Sequence, residues 1–434
     1  MNGANRNASR SALPGRSGLP SLRILMVPGK RFPTDHPLME TVYAGLLPAR
    51  GHHVTWVMQS PAVSRSTVTG WNGTVVHLEP GPEGSSARAF WGRRWGWVRL
   101  LWRTARVAGR ERFDIVQVRN SVTAGCLAVL LRRRTGARFV FQFSFPVLEA
   151  LVAGSRDRQV PAPAVVAPAA RLGIGVRRWL LRRADLVLAV SEEMRRRLIV
   201  QGVAPDRVMA FPLGSELPRA PSKRQVERLR EELGLSTAPV VLYFGAIDPK
   251  RRLDFVVRVA ARVRRLQPEA RWVLLGPASD GEGDRLRRYA EELGLGEHVL
   301  VLGPVPRSEV PRYLGLASVT VSPIPTTALY VASSPTKAVE SLALGVPVVG
   351  TPIPDQAELI AASQGGAVAP FEEEPFAAAV AGLLADPQAA RRMGARGRRH
   401  VRSERSYERL AGSVEARYLA LVPKGGPGAP PARG

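Results

Sequence analysis

Short runs that are apolar at nearly every position alternate, along this chain, with longer stretches whose apolar residues recur at helical spacing. From Arg23 the order is "RILMVP", then the helical pattern "LMETVYAGLLPARG", then "HHVTWVM". The alternation resumes with "FDIVQVR", "AGCLAVLLRRR", "RFVFQFS", "ADLVLAVS" and "EEMRRRLIVQG". Strands so uniformly apolar are expected in parallel sheets buried on both faces, and strand–helix alternation is the pattern of α/β folds. A polar stretch, "LPRAPSKRQVERLREELGL", breaks the pattern, which restarts at "APVVLYFG", "RWVLLG", "HVLVLG", "ASVTVSP", "VPVVGT" and "GGAVAP". The chain therefore reads as α/β, with two doubly wound Rossmann-like domains facing a cleft. The expected division is a tail over 1–20, a first domain over 21–218, a linker over 219–236 and a second domain over 237–400. A helix over 401–422, crossing back to the first domain, and a tail over 423–434 complete it. Ligands in such sheets sit at the carboxyl ends of strands, so the cleft is the expected site.

Composition narrows the chemistry. The 434 residues suffice for two domains. Cys126 is the sole cysteine, so neither an internal disulfide nor a thiolate metal cluster forms, which fits a cytoplasmic location. No apolar run reaches the roughly 18 residues of a membrane span, and the first 20 residues lack the apolar core of a signal peptide. The formal charge is +26, and only five of 62 basic residues are lysines. So basic a chain attracts anions: phosphorylated substrates, an acidic membrane surface or nucleic acid. Its arginines fall in separate clusters without a zinc-finger spacing or an aromatic ribonucleoprotein motif, which argues against nucleic acid.

Absent motifs exclude more. No Gly-x-Gly-x-x-Gly follows the first strand and no Walker lysine loop is present, against a dinucleotide enzyme or a nucleoside triphosphatase. No two aspartates lie two apart, and the six histidines form no metal-ligand pair on a helix, so a metal-free mechanism is expected. The stretch "SSPTKAVESLALGVPVVGT" stands out instead. Ser334 suits an N-cap, Pro335 the first helical position and Gly345 the C-terminal stop. That places Lys337 one turn into a helix whose N-terminus suits a phosphate, with Thr336 beside it. Glu340 follows three residues later and forms, on the simplest reading, an ion pair with Lys337 worth about 0.2–0.5 kcal/mol.

The segments "FGAIDPKRRLDFV", "WVLLGPASDGEGDRLRRYAEELGLGEHVLVLGPVPRSEVPRYLGLASVTVSP" and "SSPTKAVESLALGVPVVGT", in this order, resemble the donor-binding half of family-four retaining glycosyltransferases, a glycogen-synthase-like group. "RRADLVLAVSEEMRRRL" with "VMAFPLGSE" resembles the end of their first half. The resemblance implies the GT-B fold and metal-independent transfer of a sugar, a hexose in type, from a nucleotide sugar to a glycan or lipid-linked acceptor with retention. No cofactor beyond that donor is implied. On the matching positions, Glu340 is the second glutamate of the family motif and the ligand of the donor ribose. Arg251, with Lys250 beside it, stands at the phosphate-binding cation, and Gly303 to Val305 at the turn that meets the base. Glu358 matches a glutamate after the motif strand, though Asp355 and Glu358 also read as a capping box.

The chain departs from the family in several places. The first motif glutamate falls at Ala332, the usual arginine after the strand-end glycine is Ala246, a first-loop glycine pair is replaced by "FPTDHPLME", and Ser144 stands where histidine is common. Lys337 is the candidate replacement cation, and His36, Glu40 and Arg119 are candidates from the first half. A catalytically silent relative acting as a nucleotide- or glycan-binding scaffold is the alternative reading. "WGRRWGWVRLLWRTARVAGR" places Trp91, Trp95, Val98, Trp102 and Ala105 on one helical stripe beside an arginine stripe. This suits either a core-facing helix with a solvated flank or a helix at the inner face of an anionic membrane.

Overall fold

A computed structural model describes residues 20–34, 36–81, 87–156, 162–279 and 281–422, excluding the side chains of 87–94. The first sheet has eight strands: β1 (Arg23–Val27), β2 (His53–Ser60), β3 (Thr67–Trp71), β4 (Thr74–Pro80), β5 (Ile115–Arg119), β6 (Arg138–Phe143), β7 (Leu186–Ala189) and β8 (Val208–Ala210). Their order is β3-β4-β2-β1-β5-β6-β7-β8. β4, β2, β1, β5 and β6 pair in parallel, and β3 joins β4 antiparallel at the edge. The β3–β4 hairpin was not expected, yet it turns on Asn72-Gly73, both at positive φ, the pair that suits a two-residue hairpin loop.

The second sheet contains β9 (Val240–Phe244), β10 (Arg271–Leu275), β11 (Val299–Leu302), β12 (Val319–Ser322), β13 (Val348–Gly350) and β14 (Gly366–Val368), in the order β11-β10-β9-β12-β13-β14. All its pairings are parallel. The reason for its unbroken apolar strands is visible residue by residue. Val241 and Tyr243 of β9, with Trp272 and Leu274 of β10, join one core. The alternate residues Val240, Leu242 and Phe244, with Val273 and Leu275, join another. Successive side chains point to opposite faces, and here both faces are covered. Because the chain runs outward from β9 to β11 and returns to β12 on the other flank of β9, the switch point lies between β9 and β12.

The chain packs as two units: one takes residues up to Phe143, Pro168–Val187 and the chain from Ala411, the other Ser144–Ala167 and Leu188–Leu410. Residues 219–236, expected as a linker, include the helix Lys223–Glu232, whose Val226 and Leu229 pack into the second core of the smaller sheet. Its apolar stripe is one residue wide per turn, which its polar composition masks. The stretch "LMETVYAGLLPARG" winds more widely than expected over Met39–Leu46, where the Leu47 N–H reaches back five residues to the Val42 carbonyl.

The tryptophan-bearing helix, Ala87–Arg110, buries Gly96, Leu100, Thr104, Val107 and Ala108. Trp95, Val98 and Trp102 lie on the opposite face, 67%, 56% and 59% exposed. The core-facing reading of that stripe is therefore set aside; Trp91 lies among the residues whose side chains are not described. Small residues face inward because the helix sits close to the sheet: a Cβ on Gly96 would stand 2.6 Å from the Gln59 amide nitrogen.

Within the first unit, the end of the helix Tyr407–Leu421 is fastened by buried polar contacts. The Glu415 carboxylate takes Arg50 at 2.6 Å and lies 3.0 Å from His52 Nε2. The Tyr418 hydroxyl donates to Gln117, which in turn donates to Tyr43. Glu415→Ala would remove the buried contacts to His52 and Arg50, so it should lower unfolding free energy by about 1.5–3 kcal/mol. Urea denaturation measures this, and an unshifted midpoint would show that the contact is energetically silent.

Candidate active site

The densest group of candidate residues lies in the second unit, at the carboxyl ends of β9 and β12. β9 ends at Phe244, and Gly245 follows with φ +130°, where side chains are strained. A Cβ built there would stand 2.5 Å from Lys337 Cε, so the absence of a side chain at 245 is what gives the lysine its place. Gly276 closes in behind: a Cβ there would fall 2.1 Å from the Gly245 carbonyl. Lys337 Nζ lies 5.2 Å from the centre of the Tyr243 ring, within cation–π range. That ring is anchored by its hydroxyl, which donates to the Ala246 carbonyl at 2.8 Å.

Arg251 arrives on the single 3₁₀ turn Pro249–Arg251, started by Asp248, whose side chain accepts the Lys250 N–H at 2.9 Å. Its guanidinium lies over the Tyr330 ring at 5.2 Å, and its Nε is 4.0 Å from Asp248. Lys337 has no carboxylate at ion-pair distance among the described residues. Burial chiefly, with the Arg251 charge adding to it, pulls the Lys337 amine down to about 7, against the attraction of Glu340 and Asp248. Two basic side chains thus lie near the start of the helix Thr336–Ala343, whose first N–H groups have no intrahelical partners.

Residues 225–400 match the family described as glycosyl transferases group 1, and residues 42–214 the one described as glycosyl transferase 4-like domain. The chain is 31% identical over 259 residues to a GDP-mannose-dependent alpha-(1-6)-phosphatidylinositol monomannoside mannosyltransferase of Mycolicibacterium smegmatis, covering 56% of this chain and 67% of that protein. It belongs to the family-four glycosyltransferases. A D-inositol 3-phosphate glycosyltransferase of Nocardia farcinica is 31% identical over 57% of this chain, which spans about half of that relative, 55%. The crystal structure of Anabaena HepE in complex with UDP superposes with a TM-score of 0.67 at 16% identity, over 92% of this chain and 100% of that one. This glycosyltransferase therefore has the GT-B fold.

Other expected positions of the glycosyltransferase are arranged differently from the sequence reading. Ser334 is not the N-cap. The helix starts at Thr336 with Pro335 capping it, and the buried Ser334 hydroxyl accepts the Leu213 N–H at 3.0 Å. Ala332 is buried too, its carbonyl taken by the Ser191 hydroxyl at 2.7 Å. Glu340 does not pair with Lys337; its carboxylate meets Arg307 at 3.3 Å. Burial raises the proton affinity of Glu340, while Arg307 and Lys337 oppose the rise.

Arg307 is two residues beyond the Gly303–Val305 turn and so links that turn to Glu340. Sequence reading missed it, along with Tyr243, Gly245 and Tyr330. Gly303 is exposed and Val305 packs partly into a core. Lys250 and Glu358 are exposed. The expected Asp355–Glu358 capping box is absent: Ile353 caps that helix, and Asp355 instead binds Arg405 at 2.7 Å.

In the first unit, His36 Nε2 lies 3.0 Å from the Arg119 guanidinium, and the His36 carbonyl accepts the Glu40 N–H at 3.2 Å. A guanidinium only donates, so the imidazole nitrogen is the acceptor in that contact. Burial pulls Arg119 down to about 10, with Tyr43 acting against it.

The Lys337 shift implies a stability cost with a definite sign. The unfolded lysine, with a pKa near about 10.4, holds its proton where the folded one has lost it, so this group makes stability rise between pH 7 and about 10.4. Lys337→Met should therefore be more stable than the parent at pH 7, by about 1–2 kcal/mol after allowance for solvent screening, with the gap closing towards pH 10. Paired urea titrations across that range check it; a gap that stays constant would contradict a depressed lysine.

Proposed function

We propose that this glycosyltransferase moves a hexose from a nucleotide-diphosphate donor to a glycan or lipid-linked acceptor, with retention at the anomeric carbon and without a metal ion. The observation that carries the reading is the pair Lys337 and Arg251 near the start of the Thr336–Ala343 helix, each set against an aromatic ring. The relatives support the donor class: one is named as GDP-mannose-dependent and one was crystallised with UDP. Lys337 and Arg251 are the cations that the chain itself can set against phosphate charge.

In this reading the bond between the anomeric carbon and the diphosphate breaks, the acceptor oxygen bonds to that carbon and passes its proton to a departing diphosphate oxygen, and a nucleoside diphosphate leaves. Charge grows on the leaving oxygens during that step. Cations already in place stabilise the growing charge without reorganising, which lowers the barrier. Lys337 suits the role because its desolvated amine regains a full charge when a diphosphate comes near. Glu340 supplies acceptor oxygens for the ribose hydroxyls, with Arg307 holding it, and Gly303 to Val305 provide the exposed turn for the base. Ser334, Thr336, Lys250 and Glu358 remain proposed contributors.

A panel of nucleotides and nucleotide sugars in a thermal-shift assay identifies the donor. Product anomers by NMR and turnover in excess chelator test the rest: an inverted product or loss of turnover with chelator would overturn retention or metal independence. Arg251→Ala should reduce kcat more than donor affinity. Glu340→Gln should weaken nucleotide binding roughly 10–100-fold, about 1.4–2.7 kcal/mol, with the fold intact. Unchanged nucleotide affinity in a folded Glu340→Gln variant would remove the ribose role.

A further inference from the structure

The first unit carries a surface that includes none of the residues proposed above for the transfer reaction. The helix Ala87–Arg110 packs beside the helix Val122–Thr135. The latter packs in turn on the first-unit part, 168–183, of the helix Pro163–Arg183: Arg132 donates to the Arg183 carbonyl at 2.9 Å, and Gly125 abuts Leu180. These three helical stretches hold fifteen arginines and neither an aspartate nor a glutamate. Among the described residues, Arg103 lies near the buried Glu79 and Arg132 pairs with the buried Asp185, both from outside these helices. A solvated helix face normally mixes both signs, so a wholly basic layer is not the ordinary outcome of keeping a helix in water.

The layer also exposes large apolar side chains. Besides Trp95 and Trp102, Leu172 is 73% exposed and Trp179 is 42% exposed. Arginines lie against the indoles: Arg106 over Trp102 at 5.0 Å and Arg183 over Trp179 at 4.4 Å. Indole beside guanidinium, with aliphatic groups between, matches the boundary of headgroup and acyl chain, where the ring is buried and the charge meets phosphate. A nucleic acid would use the charge and could stack on the indoles, but Val98 and Leu172 offer no flat face to a base. No described helix is long and apolar enough to cross a membrane, so contact from one side is the geometry left to these helices.

We propose that this three-helix layer docks the enzyme on an anionic lipid bilayer, with Trp95, Trp102 and Leu172 entering the interface and the surrounding arginines binding lipid phosphate. The occupant follows from charge complementarity and does not depend on the donor site, so failure of either reading leaves the other standing.

The test is co-sedimentation of the full chain with vesicles of phosphatidylcholine alone and of phosphatidylcholine with a third phosphatidylglycerol, followed also by tryptophan fluorescence. The parent should bind the anionic vesicles at least tenfold better and shift its emission to the blue. The triple variant Trp95→Ser/Trp102→Ser/Leu172→Ser should lose at least tenfold in that binding. It should keep its melting temperature, because the side chains removed are more than half exposed. Arg99→Gln/Arg106→Gln should weaken binding to anionic vesicles and leave the weak binding to neutral ones unchanged. The proposal is overturned if the parent ignores anionic vesicles, or if the folded triple variant binds them as the parent does. It is equally overturned if that variant loses binding to single-stranded RNA while retaining the vesicles, for the layer would then be a nucleic-acid platform.

Discussion

A lysine with nowhere to put its charge organises the second unit. Lys337 fits only because Gly245 has no side chain, and Gly245 can sit there only because Gly276 lets its carbonyl approach. Tyr243 gives the amine a ring instead of a carboxylate, and Arg251 adds a repelling neighbour. Such a group is costly in the resting fold and is retained where an anion offsets the cost, which is the usual logic of a perturbed residue in a site. The structure around it acts as a brace. Ser191 and Ser334 fasten the segment before the helix, Gln356 binds the carbonyls of Ser322 and Thr351, and Arg405 clasps Asp355.

Most of the strands were legible because both sheet faces are covered. A strand such as "VVLYF" must be apolar at odd and even positions alike when Val241 and Tyr243 enter one core and Val240, Leu242 and Phe244 another. Periodicity of that kind survives without any knowledge of the tertiary partners. The hairpin at Asn72-Gly73 escaped because β3 is mostly exposed and lacks an apolar run, although its turn residues were in plain view.

Side-chain partners were less legible, for a geometric reason. The i,i+3 rule made Lys337 the natural partner of Glu340, but the carboxylate turns to Arg307, 33 positions earlier, because the turn after β11 comes alongside the helix. Ser334 has the chemistry of a cap, yet its hydroxyl is claimed by the backbone of Leu213. The tryptophan stripe shows the limit of amphipathic reasoning. Period alone says that one face differs from the other; which face turns inward was decided by Gly96, Thr104 and Ala108, small enough for the helix to lie close on the sheet. Ala332, where the resemblance places the family's first motif glutamate, is buried, and its carbonyl accepts the Ser191 hydroxyl.

The fastening of the last helix has a consequence for the order in which the protein takes shape during synthesis. Arg50, His52 and Gln117 leave the ribosome early, but the partners that complete their contacts, Glu415 and Tyr418, are translated 301 to 365 residues later. The larger sheet must wait, with part of its polar interior unmatched, until nearly the whole chain has emerged. The second unit, whose residues end at Leu410, has every partner available sooner. Strands made early in synthesis therefore gain these polar partners only when residues 415–418 have been added.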